Sequence, residues 1–277
     1  MPIDKINGVN IFWELTGNKG DPLVLVHGSW GDHHNWDMVA NEFAKTFRVL
    51  TYDRRGHSQS ERPQGQGYVE EDIDELIELV EYLNLSPAHI VGNSYGAGIV
   101  LKTAAKRPDI FKSMLIHEPP LFGILKDNPD AQEALEVLNV RIKAVLDLFD
   151  EGNLEKATEE FMEKIAMGTG AWKKLTEEAQ KIFIYNALTW YDEMQDPQSL
   201  QIDIDALSNY KKPALLSSGS ESPPFFPLVI NKLMSGIPQA KRITFEGAGH
   251  VPHMSHSEKY IEIISNFCFS VENTHNK

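Results

Sequence analysis

The chain has a single cysteine among its 277 residues, and its basic residues are outnumbered by acidic ones. One cysteine cannot form an internal disulfide, and Cys268 lies in an apolar run, so we interpret it as a small buried hydrophobic residue. With 26 Lys and Arg against 40 Asp and Glu, the formal net charge is −14. A nucleic-acid partner is therefore not expected, because neutralising phosphates requires clustered Lys and Arg.

Long apolar runs are also lacking. No stretch approaches the roughly 18 consecutive apolar residues of a membrane span, and the start, MPIDK, lacks a basic region followed by an apolar run. We therefore expect a cytoplasmic protein with no membrane partner. The glycine pairs at 65/67 and 96/98 do not complete G-x-G-x-x-G, so no dinucleotide site is indicated. The oligomeric state is not indicated by the sequence.

Metal-binding motifs are incomplete as well. His250, His253 and His256 recur at three-residue spacing, and residues 33–34 add two histidines, which is the pattern of a possible metal site. However, no H-E-x-x-H occurs, and Pro252 interrupts the spacing. We expect neither a metal nor an organic cofactor.

The chain does contain alternating strand and helix patterns. Residues 9–15 alternate as in a half-exposed strand, whereas residues 23–26 form a continuous apolar run, as expected of a strand covered on both faces. Further short strands are predicted at 48–53, 89–91, 113–117, 214–217 and 242–245, with helices at 72–85 and 258–264. This alternation predicts an α/β fold in which helices flank a mostly parallel central sheet.

The strand pattern stops from about residue 121 to 208, where helices are predicted at 131–150, 154–167 and 176–191. We interpret residues 121–208 as an inserted helical cap, which divides the core into residues 1–120 and 209–277. Aromatic residues recur in the cap and need a surface to cover: Phe161, Trp172, Phe183, Tyr185, Trp190 and Tyr191. Most are expected to pack the cap on the core, and we predict that Tyr185 and Trp190 line a substrate pocket.

Residues 92–96 read GNSYG, directly after a predicted strand and before a predicted helix. In this context G-x-S-x-G forces a sharp turn that exposes the hydroxyl of Ser94, and a Cβ at either glycine would clash. A neutral serine hydroxyl needs a base, and His250 follows late in the chain. An acidic residue, Glu118, ends a predicted strand between them. The order Ser, acid, His is typical of α/β-hydrolases.

Three further motifs make the whole chain resemble the α/β-hydrolase superfamily, in its serine-nucleophile branch with a helical cap. HGSWG at 27–31 resembles the oxyanion loop, and GAGH at 247–250 resembles the catalytic-histidine loop. DRRGHSQS at 53–60 resembles the D-x-R-G-x-G-x-S turn, with Ser58 where glycine is commoner. That departure concerns a structural turn and leaves the catalytic assignment unchanged.

The resemblance implies roles for the residues around the elbow. Ser94 would be the nucleophile and His250 the base. The backbone N–H groups of Tyr95 and Ser29 would form the oxyanion hole, with the N–H of Trp30 as the alternative to that of Ser29. The side chain of Trp30 is expected to form part of the pocket wall.

The position of the acid departs from the commoner family pattern. Many relatives carry an aspartate after the strand that corresponds here to residues 214–217, but this chain has Ser222 at that position. Some branches, including certain haloalkane dehalogenases, place the acid one strand earlier, where this chain has Glu118. We predict Glu118 as the acid, with Glu221 as the alternative.

The resemblance therefore implies a hydrolase of small, partly apolar ester-like molecules, of the carboxylesterase, lactonase or thioesterase type, acting through an acyl-enzyme on Ser94. The expected partner is a small-molecule substrate. Serine at the elbow argues against haloalkane dehalogenase or epoxide hydrolase activity, for which the resembling families use aspartate. Two alternatives are a carbon–carbon bond hydrolase of vinylogous diketones, whose family shares G-N-S-x-G elbows, and a non-catalytic ligand-binding receptor.

Overall fold

A central sheet of eight strands organises residues 2–275, which are the residues that this computed structural model describes. The strands are β1 Ile3–Ile6, β2 Val9–Thr16, β3 Pro22–Val26, β4 Arg48–Tyr52, β5 Ala88–Asn93, β6 Phe111–His117, β7 Ala214–Gly219 and β8 Lys241–Phe245. Their order across the sheet is β1-β2-β4-β3-β5-β6-β7-β8. The pairs β1/β2 and β2/β4 are antiparallel and the others are parallel, so the predicted mostly parallel α/β sheet is confirmed.

Helices connect the strands and cover both faces of the sheet. They are α1 Asp37–Phe43, α2 Val69–Tyr82, α3 Tyr95–Lys106, α4 Gln132–Asp150, α5 Leu154–Phe161, α6 Glu177–Gln195, α7 Ile204–Leu207, α8 Phe225–Gly236, α9 Pro252–Ser255 and α10 Ser257–His275. One π-helical turn, Met162–Ala166, extends α5. None of the helices in the described part of the chain has both the length and the apolar character that crossing a bilayer requires.

The strands place alternate side chains in two separate cores. In β3, Val24 and Val26 face a core shared with α2, α3 and α8, whereas Leu23 and Leu25 face a second core shared with α1 and α10. Alternation follows from the two-residue period of a strand, and apolar residues on both faces are what a sheet covered by helices on both sides requires.

Residues 118–213, all of them described, contain helices and turns but no strand. The helices α4, α5 and α6 share a third cluster of buried apolar side chains, which includes Val145, Phe149 and Trp190. Trp30, from the loop after β3, belongs to the same cluster. This helical segment therefore has its own packing and touches the sheet-based part at a loop that bears on the candidate site.

Candidate active site

Ser94 lies at the sharp turn between β5 and α3, with φ of 55° and ψ of −125°. A positive φ is uncommon for a residue other than glycine, and such a conformation costs about 1 to 3 kcal/mol. Two backbone hydrogen bonds hold the turn: the N–H of Ser94 donates to the carbonyl of His117 at 2.9 Å, and the carbonyl of Ser94 accepts from Ala97 at 2.9 Å. The turn places Ser94 in the wall of a cavity.

Close backbone approaches explain the two glycines of the elbow. A Cβ at Gly92 would lie 2.6 Å from the Cα of Ala97, and one at Gly96 would lie 2.4 Å from the carbonyl oxygen of His27. Both contacts are with backbone atoms, which cannot move aside as a side chain can. Glycine is therefore required at both positions for α3 to leave β5 at this angle.

His250 and Glu118 are joined by a hydrogen bond beside the same cavity. The Nδ1 of His250 donates to Oε2 of Glu118 at 2.7 Å, and Oε1 of that carboxylate accepts from the N–H of Gly219 at 2.7 Å. Because Nδ1 carries the shared proton, Nε2 of the neutral ring is left to accept a proton. Ser94 and His250 both line the cavity.

Glu118 is fully buried directly after β6. Burial raises the pKa of its carboxyl group, but the hydrogen bond from His250 and the nearby ring of His117 lower it, and the net shift of the pKa is downward. Such a carboxylate is ionised at neutral pH and can stabilise an imidazolium. The side chain of Glu221 is exposed, and within residues 2–275 no ion pair joins it to His250.

The histidines at three-residue spacing do not converge. His253 packs on the ring of Trp36 with centroids 4.5 Å apart, and burial lowers its pKa to about 3. The ring of His256 contacts the hydroxyl of Ser255 instead. These three histidines form no cluster that could hold one ion in the part of the chain described.

Ser29 and Tyr95, the residues predicted to supply the oxyanion hole, lie in the same cavity wall as Ser94. Tyr95 is the first residue of α3, where an N–H has no partner within the helix. The carbonyl of Gly28 accepts hydrogen bonds from Nδ1 of His27 at 2.8 Å and from Nη1 of Arg54 at 3.2 Å. The peptide bond between Gly28 and Ser29 is trans, so the N–H of Ser29 points away from that carbonyl oxygen. Both residues line the cavity that contains Ser94.

The cavity beside Ser94 has a volume of about 130 Å³ and mostly apolar walls. Part of the wall comes from the sheet-based core, where the ring of Phe226 stacks on His250 with centroids 4.8 Å apart. The remainder includes side chains of the helical segment, namely Leu138, Ile142, Phe161, Met162, Ile165, Phe183, Trp190 and Met194. Trp30 also lines the cavity and stacks on Trp190 at 5.3 Å.

Tyr185 does not line the cavity, and its predicted role in the pocket is wrong. Its side chain is 68% exposed, and it is absent from the cavity wall in the described structure. The reason is helical phase. Phe183 and Trp190 both face the cavity, and a residue two positions after Phe183 points about 200° away from it around a helix of 3.6 residues per turn.

The family model for the α/β hydrolase fold matches residues 21–257. The chain belongs to the α/β-hydrolase family. The uncharacterized hydrolase YraK of Bacillus subtilis is 38% identical over 126 residues, which are 45% of this chain and 46% of that relative. The (E)-2-((N-methylformamido)methylene)succinate hydrolase of Acinetobacter baylyi is 25% identical over 244 residues, 87% of this chain and 88% of that protein.

Solved structures show the same fold. A thermophilic esterase from Thermogutta terrifontis, solved with malate bound, has a TM-score of 0.70 at 22% identity, and the match covers 98% of this chain and 99% of that one. The likenesses in sequence and fold together support hydrolase activity.

Three contacts of this hydrolase's site were not anticipated from the sequence. The first is the stacking of Phe226 on His250. The second is a hydrogen bond from the side-chain amide of Asn93 to the carbonyl of His250 at 3.0 Å, which joins the histidine loop to the elbow. The third is a hydrogen bond from the hydroxyl of Ser29 to Glu193 of α6. Asn93 lies within the elbow motif and offered a local signal, whereas nothing in the sequence near Glu193 points to Ser29.

Proposed function

We propose that this hydrolase cleaves a small, uncharged, partly apolar ester-like substrate, such as a carboxylester, lactone or thioester, through an acyl-enzyme on Ser94. The observation that carries the proposal is the convergence of the strained Ser94 and the His250–Glu118 pair on one largely apolar cavity. This is the arrangement of nucleophile, base and orienting acid that nucleophilic catalysis requires.

In the proposed mechanism, Ser94 Oγ attacks the substrate carbonyl carbon as Nε2 of His250 takes the hydroxyl proton. Glu118 keeps the imidazole in the required tautomer and stabilises its charged form. The N–H groups of Ser29 and Tyr95 donate to the oxyanion, and a single such donor is typically worth about 2.7 to 4 kcal/mol. The imidazolium then protonates the leaving group, and a water molecule activated by His250 releases the acyl group and restores Ser94.

The character of the cavity wall supports an uncharged substrate. Among the described residues that line it there is no Asp, Glu, Lys or Arg. An ionised amine or carboxylate in the substrate would lose its hydration there without gaining a partner of opposite charge. This disfavours peptides with a free amino group, and also dicarboxylates such as the succinate derivative named for the Acinetobacter relative.

The size of the cavity supports a small acyl group. The cavity volume is about 130 Å³, and a water molecule occupies roughly 10 to 15 Å³ of such a volume, so about ten water-sized groups fit. We further propose that residues 121–208 act as a cap whose apolar side chains select among acyl groups, while the sheet-based core supplies the reacting residues.

The carbon–carbon bond hydrolase alternative rests on Asn93 of the elbow. The side chain of Asn93 has a structural contact, since it donates to the carbonyl of His250. Its presence therefore does not distinguish that alternative from an esterase. The receptor alternative is separated by chemistry, because a receptor would bind ligand without forming a covalent adduct at Ser94.

A panel of p-nitrophenyl esters, lactones and thioesters tests the proposal, with Ser94→Ala as the matched control. We expect turnover of neutral short-chain substrates, a fall in kcat of several orders of magnitude in Ser94→Ala, and a phosphonate adduct on Ser94 by mass spectrometry. Binding of a neutral ester without turnover or adduct formation would support a receptor. Full activity in Ser94→Ala would exclude the mechanism.

A further inference from the structure

Glu193 of α6 is a carboxylate buried under the loop that follows β3. Its side chain is 5% exposed. Oε2 accepts from the hydroxyl of Ser29 at 2.5 Å, and Oε1 accepts from Nη2 of Arg54 at 2.9 Å. Glu193 lies in the helical segment between β6 and β7, whereas Ser29 and Arg54 belong to loops of the sheet-based core, so these two contacts join the two parts of the molecule.

Arg54 in turn contacts Tyr95 and the carbonyl of Gly28, which belongs to the same peptide bond as the N–H of Ser29. Its Nη1 donates to the carbonyl of Gly28, which fixes the peptide whose N–H belongs to Ser29. Its guanidinium lies over the ring of Tyr95, 4.7 Å from the centroid. Arg54 is 2% exposed and is held on its other side by Asp72, with Nε 2.9 Å from Oδ1.

Packing alone does not account for a carboxylate at position 193. One cation, Arg54, faces two carboxylates, Asp72 and Glu193, so this buried cluster carries an excess of acidic groups. Burial raises the pKa of Glu193 to about 7, while Arg54 and the hydroxyl of Ser29 oppose that rise. An apolar side chain could cover the same loop without this desolvation cost, but it could not hold a hydroxyl and a guanidinium.

We propose that Glu193 is a positioning residue that holds the N–H of Ser29 in the direction required by the oxyanion. It acts directly through the hydroxyl of Ser29, and indirectly through Arg54, which fixes the carbonyl of Gly28. The pair of oxyanion donors is thus complete only while α6 rests on the core. This inference rests on the proposed function. Loss of the contact between Glu193 and Ser29 should have a large effect, because a displacement of about 1 Å among catalytic groups can lower the rate roughly 100-fold.

Glu193→Gln tests the inference, with Asp192→Asn as the matched control. The neighbouring Asp192 also joins α6 to the core, since its Oδ2 accepts from Nη2 of Arg62 at 2.6 Å. In the part of the chain that the structure describes, no hydrogen bond or ion pair joins Asp192 to the oxyanion loop at residues 27–31. The full chain is assayed with a neutral p-nitrophenyl ester. The concentration of active sites is determined by titration with a phosphonate, kcat is calculated per active site, and KM is measured in the same assay. Glu193→Gln should lower kcat about 10- to 100-fold, part of the ~10²- to 10³-fold that one donor supplies, with KM changed less than about threefold. Asp192→Asn should stay within about twofold of wild type in both.

A second variant keeps the inference testable should Glu193→Gln fail to fold. Ser29→Ala removes only the hydroxyl and should lower kcat per titrated site. In the Ser29→Ala background, Glu193→Gln should lower kcat by a smaller factor than it does in wild type, because both substitutions remove the same contact. An unchanged kcat in Glu193→Gln would overturn the inference, and if that variant does not fold, an unchanged kcat in Ser29→Ala would do so. An equal loss of kcat in Asp192→Asn would also overturn it. Failure of the proposed function is distinguishable: wild type itself would form no phosphonate adduct at Ser94, and both proposals would fall.

Discussion

The proposed orienting acid, Glu118, directly follows β6, whereas many relatives carry the acid after β7. The two strands are neighbours in the sheet, and parallel strands lie about 4.8 Å apart, so a long carboxylate side chain can reach His250 from either end. The backbone of Glu118 is tied to β7, because its N–H donates to the carbonyl of Ser217, and its carboxylate accepts from Gly219. A φ of 46° then turns the carboxylate toward His250. The proposed triad therefore does not need a carboxylate at position 222.

The acid assignment is tested by removing the charge at each candidate. Glu118→Gln should lower kcat by roughly 10³- to 10⁴-fold, because an amide does not hold the imidazole in the required tautomer or stabilise its charged form. The exposed Glu221 serves as the control, and Glu221→Gln should change kcat less than about twofold. Turnover per titrated site is the measurement. A large loss in Glu221→Gln alone would refute the assignment.

A rescue experiment complements these substitutions. In the Glu118→Gln background, Ser222→Asp should recover part of the lost kcat, since it restores a carboxylate at the position that the acid occupies in many relatives. Ser222→Asn, which has nearly the same shape without the charge, should recover nothing. If Ser222→Asp and Ser222→Asn restored kcat equally, the loss of kcat in Glu118→Gln would not be due to the loss of a negative charge.

At the scale of elements, the buried face of α6 contacts both the cavity and the loops of the core. Trp190 faces the cavity. The polar residues Asn186, Thr189 and Glu193 form hydrogen bonds with loops of the core. Asn186 is fully buried, and its amide donates to the carbonyls of Trp30 and Gly31. A sequence pattern assigns such polar residues to the solvent face of a helix. The pattern therefore predicts the wrong phase at Tyr185, because the buried face of α6 is partly polar.

The exposed Tyr185 becomes the matched control for Trp190 on the same helix. Trp190→Leu should change the relative kcat/KM across acyl chain lengths by about 10-fold or more, since one large pocket contact is worth roughly 1 to 3 kcal/mol. Tyr185→Leu should leave chain-length preference unchanged, because the side chain is 68% exposed and away from the cavity. Kinetics on a homologous series of p-nitrophenyl esters measures both. Equal effects of the two variants, or none, would mean that α6 does not select the acyl group.

Over the whole molecule, the features predicted from the sequence are the locally encoded ones. The elbow and most strands were predictable because a few adjacent residues specify each. The strand β1 was not predicted, because the sequence IDKI alternates too briefly to stand out. Contacts such as that of Ser29 with Glu193 could not be predicted, since their residues are 164 positions apart and meet only after the helical segment has packed on the core.

Over the whole molecule, the burial of ionisable groups should make the free energy of unfolding depend on pH. Burial lowers the pKa of His27, His89 and His117 to about 4, that of His253 to about 3, and that of His57 well below its ordinary value. Between pH 6.5 and 4 the unfolded chain protonates these histidines while the folded chain does not, so the free energy of unfolding falls as the pH falls. Glu193 and Glu75 oppose this trend, because burial raises their pKa values to about 7 and about 8 and the folded chain holds their protons.

Five histidines outweigh two glutamates, so acidification should destabilise the protein. At pH 5.5 the unfolded chain binds about two to three protons more than the folded chain, and the free energy of unfolding should fall by ~3 to 4 kcal/mol per pH unit. Urea unfolding at pH 7.0, 6.0 and 5.5 measures this slope. His89→Gln is the matched variant, because His89 is fully buried on β5 and does not line the cavity. It should reduce the slope by about 1.4 kcal/mol per pH unit, the contribution of one proton. A free energy of unfolding that stayed constant or rose on acidification would contradict the argument, and an unchanged slope in His89→Gln would show that this histidine is already protonated in the folded protein.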